Sequence, residues 1–158
     1  MFKNIYQDKR VLITGHTGFK GSWLCAWLLD LGAKVAGYSV DVPTKPSHFE
    51  ALALANRIEH FQGDIRNKDS LRQAVDRFCP EIVFHLAAQP LVRKSYEDPA
   101  LTFETNSTGT LNLLESLRNQ PSVLAAILVT SDKCYENAEW LWGYRENDRL
   151  GGKDPYSA

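Results

Sequence analysis

A chain of 158 residues with 44% hydrophobic content is long enough for one domain with a buried core. Its formal net charge of -1, with basic and acidic residues interspersed, provides no broad basic field, so neither nucleic acid nor a membrane is expected as a partner. No apolar run approaches the roughly 20 residues that span a bilayer, and Met1-Phe2-Lys3-Asn4 does not begin a signal-peptide core, which points to the cytoplasm. Cys25, Cys79 and Cys134 form no C-x-x-C pair, and His16, His48, His60 and His85 show no metal-ligand spacing. Neither a disulfide framework nor a metal site is expected, and Cys25 and Cys79 read as small buried apolar residues.

Val11-Leu12-Ile13 is a short apolar strand, and Thr14-Gly15-His16-Thr17-Gly18-Phe19-Lys20-Gly21 follows it as a glycine-rich turn that opens a helix. Strand, glycine turn, helix is the order a dinucleotide site requires. Gly15 supplies the tight turn, Gly18 lets backbone approach a pyrophosphate, and Gly21 lets the helix sit close on the strand. The cradle over Gly15, His16, Thr17, Gly18, Phe19, Lys20 and Gly21 then presents free N–H groups at a positive helix end. Trp23, Leu24, Trp27, Leu28 and Leu31 recur at helical spacing before Gly32, and the two tryptophans, continuing the leucine stripe, are expected in the core.

Residues 34–40 read as a second strand with Asp41 at its end, where a carboxylate can accept hydrogen bonds from an adenosine ribose and repel the extra phosphate of NADP. Ser39 is the alternative occupant of that position. Ser47-His48-Phe49-Glu50 has the form of a capping box before a short helix. A third strand over 58–63 leads to Asp64 and Ile65, a polar group and an apolar side chain placed to flank an adenine. Leu71, Ala74, Val75 and Phe78 mark an amphipathic helix between Asn67 and Pro80.

The nearly all-apolar run 82–88 predicts a strand buried on both faces and lying centrally in a sheet. Leu86, Ala87 and Ala88 at its carboxyl end would admit a cofactor, and Gln89-Pro90 begins a loop. Asp98-Pro99 caps a long helix running through Asn106, Gly109, Leu113 and Leu117. A last apolar strand covers 125–130, and 137–152 reads as an irregular loop whose Trp140, Trp142 and Tyr144 are partly buried or await a substrate or a further domain. Strands alternating with helices predict an α/β fold, a doubly wound parallel sheet of Rossmann type.

Thr14 to Gly21, Asp64-Ile65, His85-Leu86-Ala87-Ala88, Asn106 with Gly109, and Asp154-Pro155-Tyr156-Ser157-Ala158 together resemble the landmarks of the extended short-chain dehydrogenase/reductase family. More narrowly, the residues from His16 to Trp23 and from Thr130 to Asn137 are similar to those of the CDP-glucose 4,6-dehydratase subgroup. The resemblance implies NAD as cofactor, a nucleotide sugar (CDP-glucose) as substrate, and a homo-oligomer for the intact enzyme. The implied reaction oxidises the sugar at C4, eliminates water across C5 and C6, and returns the hydride to C6. Tyr156 matches the tyrosine of the family's Y-x-x-x-K motif, whose lysine would fall beyond Ala158, so the resemblance implies residues 1–158 as the NAD-binding domain of a longer enzyme with a carboxy-terminal substrate domain.

The same resemblance gives Ser131 a hydrogen bond to the C4 oxygen, Tyr156 the role of accepting the hydroxyl proton, and Asp132 that of general acid, which requires a carboxyl kept protonated by burial. Lys133 is implied in removing the C5 proton, although the deoxythymidine-linked dehydratases carry glutamate at that place. A sugar-nucleotide epimerase or related dehydratase, and a catalytically silent NAD-binding module, stand as the alternatives.

Overall fold

The computed structural model describes residues 2–158. Five parallel strands, β1 (Arg10–Thr14), β2 (Lys34–Ser39), β3 (Glu59–Gln62), β4 (Ile82–His85) and β5 (Ala125–Leu128), form one sheet in the order β3-β2-β1-β4-β5. The chain winds outward from β1 to β3, returns across the sheet, and winds outward again through β4 to β5. This is the doubly wound topology, with its switch point between β1 and β4, where Val11 to Thr14 register against Ile82 to His85.

Alternation along the strands divides the core into two layers. Val11 and Ile13 of β1 and Val35 of β2 face α1 (Phe19–Asp30) and α2 (His48–Ala51), meeting Cys25, Leu28, Phe49 and Leu54. Leu12, Ala36, Tyr38 and Val83 face the other way, toward Leu71, Ala74, Val75 and Phe78 of α3 (Lys68–Phe78) and Leu113 and Leu117 of α6 (Gly109–Leu117). Complete burial of Val11, Leu12 and Ile13 agrees with a strand covered on both faces. β4 lies inside the sheet as expected but ends at His85, and 86–88 continue as loop.

The expected caps are formed. Ser47 accepts from the Glu50 amide at 3.1 Å, Asn67 from Ser70 at 3.0 Å and Asp98 from Leu101 at 2.9 Å. The long helix runs as α5 (Pro99–Phe103), one π-helical turn over Glu104–Thr108, and α6. A further helix, α4 (Val92–Glu97), stands where the sequence suggested a loop; its six residues are mostly exposed and carry no apolar stripe. Residues 137–152 are irregular, joined to the body by an antiparallel bridge between Tyr135 and Leu150.

Two expectations about burial are corrected. Trp23 and Trp27 are about half exposed, not core. The residues of α1 turned to the sheet are Gly21, Ser22, Cys25 and Leu28, three of them small, because the helix approaches β1 too closely for an indole to fit. Trp23 instead stacks on His48, ring centroids 4.1 Å apart, and Trp27 meets Phe2 edge-on. Cys79 is exposed because it ends α3 in the left-handed conformation (φ 51°) that turns the chain out of the helix. Cys25 is buried as expected, and burial pushes its thiol up to about 12. No helix among the described residues is long and apolar enough to cross a membrane.

The α1 approach gives a direct test. A Cβ on Gly21 would stand 2.3 Å from the Gly15 carbonyl oxygen, whereas one on Gly143 meets nothing within 4 Å. Gly21→Ala is expected to destabilise by about 1–3 kcal/mol or more, as overpacking against backbone does, while Gly143→Ala leaves the melting temperature almost unchanged. Thermal unfolding of the two variants by circular dichroism checks the difference.

Candidate functional site

Because all five strands are parallel, their carboxyl ends share one edge. The turn from Gly15 to Gly21, Asp41 beyond β2, Asp64-Ile65 beyond β3, Leu86 to Gln89 beyond β4, and Ser131 to Lys133 beyond β5 all follow that edge. Gly15 holds φ 72°, and a Cβ there would lie 2.8–2.9 Å from backbone atoms of Leu86 and Ala87. The loops on either side of the switch point therefore touch, and only glycine permits it.

Gly18 caps α1 without any side-chain hydrogen bond, so no side chain covers the first-turn N–H groups of the helix. A Cβ on Gly18 would have only the Gly15 carbonyl within 4 Å, leaving its other side open. An open glycine cradle at an uncapped, 12-residue helix has N–H groups free to donate to an anion such as a phosphate. Phe19 and Lys20 are exposed at its mouth, and Thr17 is anchored by its hydroxyl, which donates to the Asp41 carbonyl at 2.6 Å.

His16 contributes backbone to the turn, but its ring points into the protein. It lies on Gly37, where a Cβ would be 2.2 Å from the ring, and packs against Phe49. Its Nδ1 meets the Ser39 hydroxyl at 2.9 Å and its Nε2 meets Nδ1 of His60 at 2.7 Å. Burial, with the neighbouring His60, pushes its pKa down to about 4. Ser39 is thus spent on His16, while Asp41 lies two residues past the strand and exposed, its carboxylate directed to no hydrogen-bond partner among the described residues.

Asp64 and Ile65 both have partners within the protein. Ile65 is 4% exposed and belongs to the core, where Gly109 leaves room for it, so its side chain offers little surface to a ligand. The Asp64 carboxylate accepts from the Arg66 guanidinium at 2.6 Å, and this partner holds it below the usual carboxylate range. Gln89 and Asn106 are also used internally. Asn106 accepts from the Gln89 amide at 2.8 Å and donates to its carbonyl at 3.1 Å, and the Gln89 carboxamide bonds to Leu91 and Thr102. Leu86 and Ala87 are half-buried and Ala88 is exposed, which leaves a small-residue wall opposite the glycine turn.

Ser131 opens a short helical turn over Asp132–Cys134 by accepting from the Lys133 amide at 3.2 Å. Asp132 and Lys133 are both exposed, so the described residues do not supply the burial that a general acid requires. Asp154 holds the last turn by accepting from the amides of Tyr156 at 3.0 Å and Ser157 at 3.1 Å. That segment rests near α4, where the Tyr96 hydroxyl reaches the Lys153 carbonyl at 3.4 Å. The polar residues that organise the edge but stand outside the family landmarks are Thr110, which bonds to His85, and Asn112, which bonds to the Ile65 and Arg66 carbonyls. Their signal in the sequence is only that polar side chains stand on the inner face of an apolar helix.

Residues 12–158 match the GDP-mannose 4,6 dehydratase family profile. The chain belongs to that family. Among relatives of this family member, CDP-glucose 4,6-dehydratase of Salmonella typhimurium is 56% identical over 155 residues, 98% of this chain and 43% of that protein. CDP-paratose 2-epimerase of Salmonella typhi is 33% identical over 140 residues, 88% of this chain and 41% of that protein. The UDP-glucose 4-epimerase of Thermus thermophilus, solved in complex with NAD, superposes with a TM-score of 0.81 at 33% identity, covering 94% of this chain and 46% of that one. The chain thus spans less than half the length of the curated relatives it matches.

The buried histidines give this edge a pH dependence. His16 and His85 are each held at about 4 when folded against 6.5 when free, so below about pH 6.5 the unfolded chain binds more protons. Stability is full above that pH and falls as pH drops toward 4, by about 2 kcal/mol per histidine at pH 5. Urea unfolding at pH 7 and pH 5 should show the loss; equal midpoints would mean that neither imidazole is buried neutral.

Proposed function

We propose that this chain is the NAD-binding half of a nucleotide-sugar 4,6-dehydratase that converts CDP-glucose to CDP-4-keto-6-deoxyglucose, and that such an enzyme works as a homo-oligomer. The observation that carries the reading is the 56% identity to a CDP-glucose 4,6-dehydratase over 98% of the chain, far above the identity to the epimerases. The residues fit the cofactor: an open glycine cradle at an uncapped helix for the pyrophosphate, Asp41 for the adenosine ribose, and the small wall at Ala87 and Ala88 for the nicotinamide half. When bound, NAD supplies a hydride acceptor that later gives the hydride back.

In this reading Ser131 orients the C4 oxygen of the sugar and Tyr156 takes the proton of the C4 hydroxyl as it becomes a ketone. Lys133 removes the C5 proton that the ketone acidifies, and Asp132 gives a proton to the departing C6 hydroxyl. The exposure of Asp132 means that substrate or further protein has to cover it before it can serve as an acid at neutral pH. Asp132 and Lys133 favour dehydration over epimerisation, which has no hydroxyl to expel.

Calorimetric titration of the chain with the two cofactors is expected to rank NAD above NADP; a reversed order would remove Asp41 from the ribose site. In a protein extended to the length of its relatives, Tyr156→Phe should block reduction of NAD. Asp132→Asn should leave C4 oxidation in place and slow loss of water by about 10²–10⁴-fold, read from product absorbance in base. Unchanged turnover in Asp132→Asn would overturn the acid assignment.

A further inference from the structure

His85, the last residue of β4, is buried and lies between β1 and α6. Its two ring nitrogens have different partners, Nδ1 facing the Thr14 hydroxyl at 2.6 Å and Nε2 facing the Thr110 hydroxyl at 3.0 Å. The proton positions follow from the next bond in each direction. Thr110 donates its hydroxyl proton to the Asn106 carbonyl at 2.6 Å, so toward His85 it can only accept, and Nε2 carries the imidazole proton. Nδ1 is then an acceptor and takes the Thr14 hydroxyl proton, which leaves the Thr14 oxygen free to accept from the Ala87 amide at 3.2 Å.

The result is a single directed chain, Ala87 N–H to Thr14 to His85 to Thr110 to the Asn106 carbonyl. Both of its ends lie in the edge described above. Ala87 packs against Gly15, and Asn106 holds Gln89 at both its amide and its carbonyl. One imidazole therefore ties the loop after β4 at Ala87, and through Asn106 at Gln89, to the end of β1 and to the π-helical turn. Burial holds this imidazole at about 4, which keeps it neutral.

We propose that His85 is a positioning residue that locks the Leu86–Gln89 loop as a rigid wall of the dinucleotide crevice, with its single ring proton on Nε2. This rests on the cofactor reading above as far as the ligand is concerned; the locking itself does not. A histidine is suited to the task because it alone can accept at one ring nitrogen and donate at the other across about the width of a strand. Replacing either hydroxyl by a methyl would leave a buried ring nitrogen without its partner.

The test compares Thr110→Val with Thr110→Ser in the 158-residue chain, using Thr14→Val and Thr14→Ser as a second pair if the first valine variant does not fold. Long-range proton–nitrogen spectra of histidine-labelled chain at pH 7 should show His85 protonated at Nε2 and bare at Nδ1. The Ala87 and Gln89 amides should exchange slowly in the parent and about tenfold faster in Thr110→Val, with the amides of Leu12 and Ala36 unchanged and Thr110→Ser close to the parent. NAD affinity by calorimetry should fall by about tenfold in the valine variant alone. A proton on Nδ1, or unaltered exchange at Ala87 and Gln89, overturns the proposal whether or not NAD binds. Faster exchange at those amides with undiminished NAD affinity overturns the link to the cofactor. If the parent itself binds no NAD while the exchange result holds, the cofactor reading fails and the locking by His85 stands.

Discussion

The structure depends on how closely one helix can approach the end of one strand. At Gly15 and Gly21 the backbone of the turn, the first turn of α1 and the loop after β4 come within distances at which any Cβ would collide with main-chain atoms. Contact that close leaves the helix terminus aimed along the sheet edge with its N–H groups open, and it also decides what the rest of α1 can do. Only small side chains fit beneath the first two turns of the helix, so Gly21, Ser22 and Cys25 lie on the sheet there and the indoles are turned outward. A phosphate-binding geometry and an exposed aromatic surface are thus two results of one steric condition.

Around that contact, polar side chains rather than apolar packing set the loops. His16 fills the gap left by Gly37 and bonds to Ser39 and His60 beneath the glycine turn. Across the switch point His85 bonds to Thr14 and Thr110. His16, Ser39, Thr14 and His85 are buried, where an unmet hydrogen bond is expensive, and no side-chain nitrogen or oxygen is buried without a partner among the described residues. The two histidines differ in sequence context and sit on opposite faces of the sheet, yet each stiffens one rim of the same crevice.

Most of the fold was legible in the sequence because parallel strands buried on both faces are continuous apolar runs, and because caps such as Asn67 and Asp98 act through their nearest neighbours. The family was legible too, since its landmarks are spread along the chain and each is short. What was not legible depended on depth. α1 is apolar nearly all round, so periodicity alone could not choose between its faces, and the choice was made by the space between Gly15 and Gly21. Ile65 follows a strand end, as an adenine neighbour would, but a glycine far along the chain, Gly109, opens a cavity into which its side chain fits. The inward turn of His16 likewise depends on Gly37, a residue of another strand. Such long-range pairings between a glycine and the side chain that fills its space leave no local trace.

The π-helical turn over Glu104–Thr108 bears on how this chain can vary. A single wide turn shifts the angular phase of everything beyond it, so Asn106 can face Gln89 while Leu113 and Leu117, farther along the same rod, still face the sheet. Removing one residue there would regularise the helix and rotate its second half by about 100° relative to its first, since an α-helix advances 3.6 residues per turn. Either the clamp or the core contact would then be lost. Length is consequently constrained between Pro99 and Leu117 in a way that it is not between 137 and 152, and natural insertions and deletions should accumulate in the second segment and avoid the first.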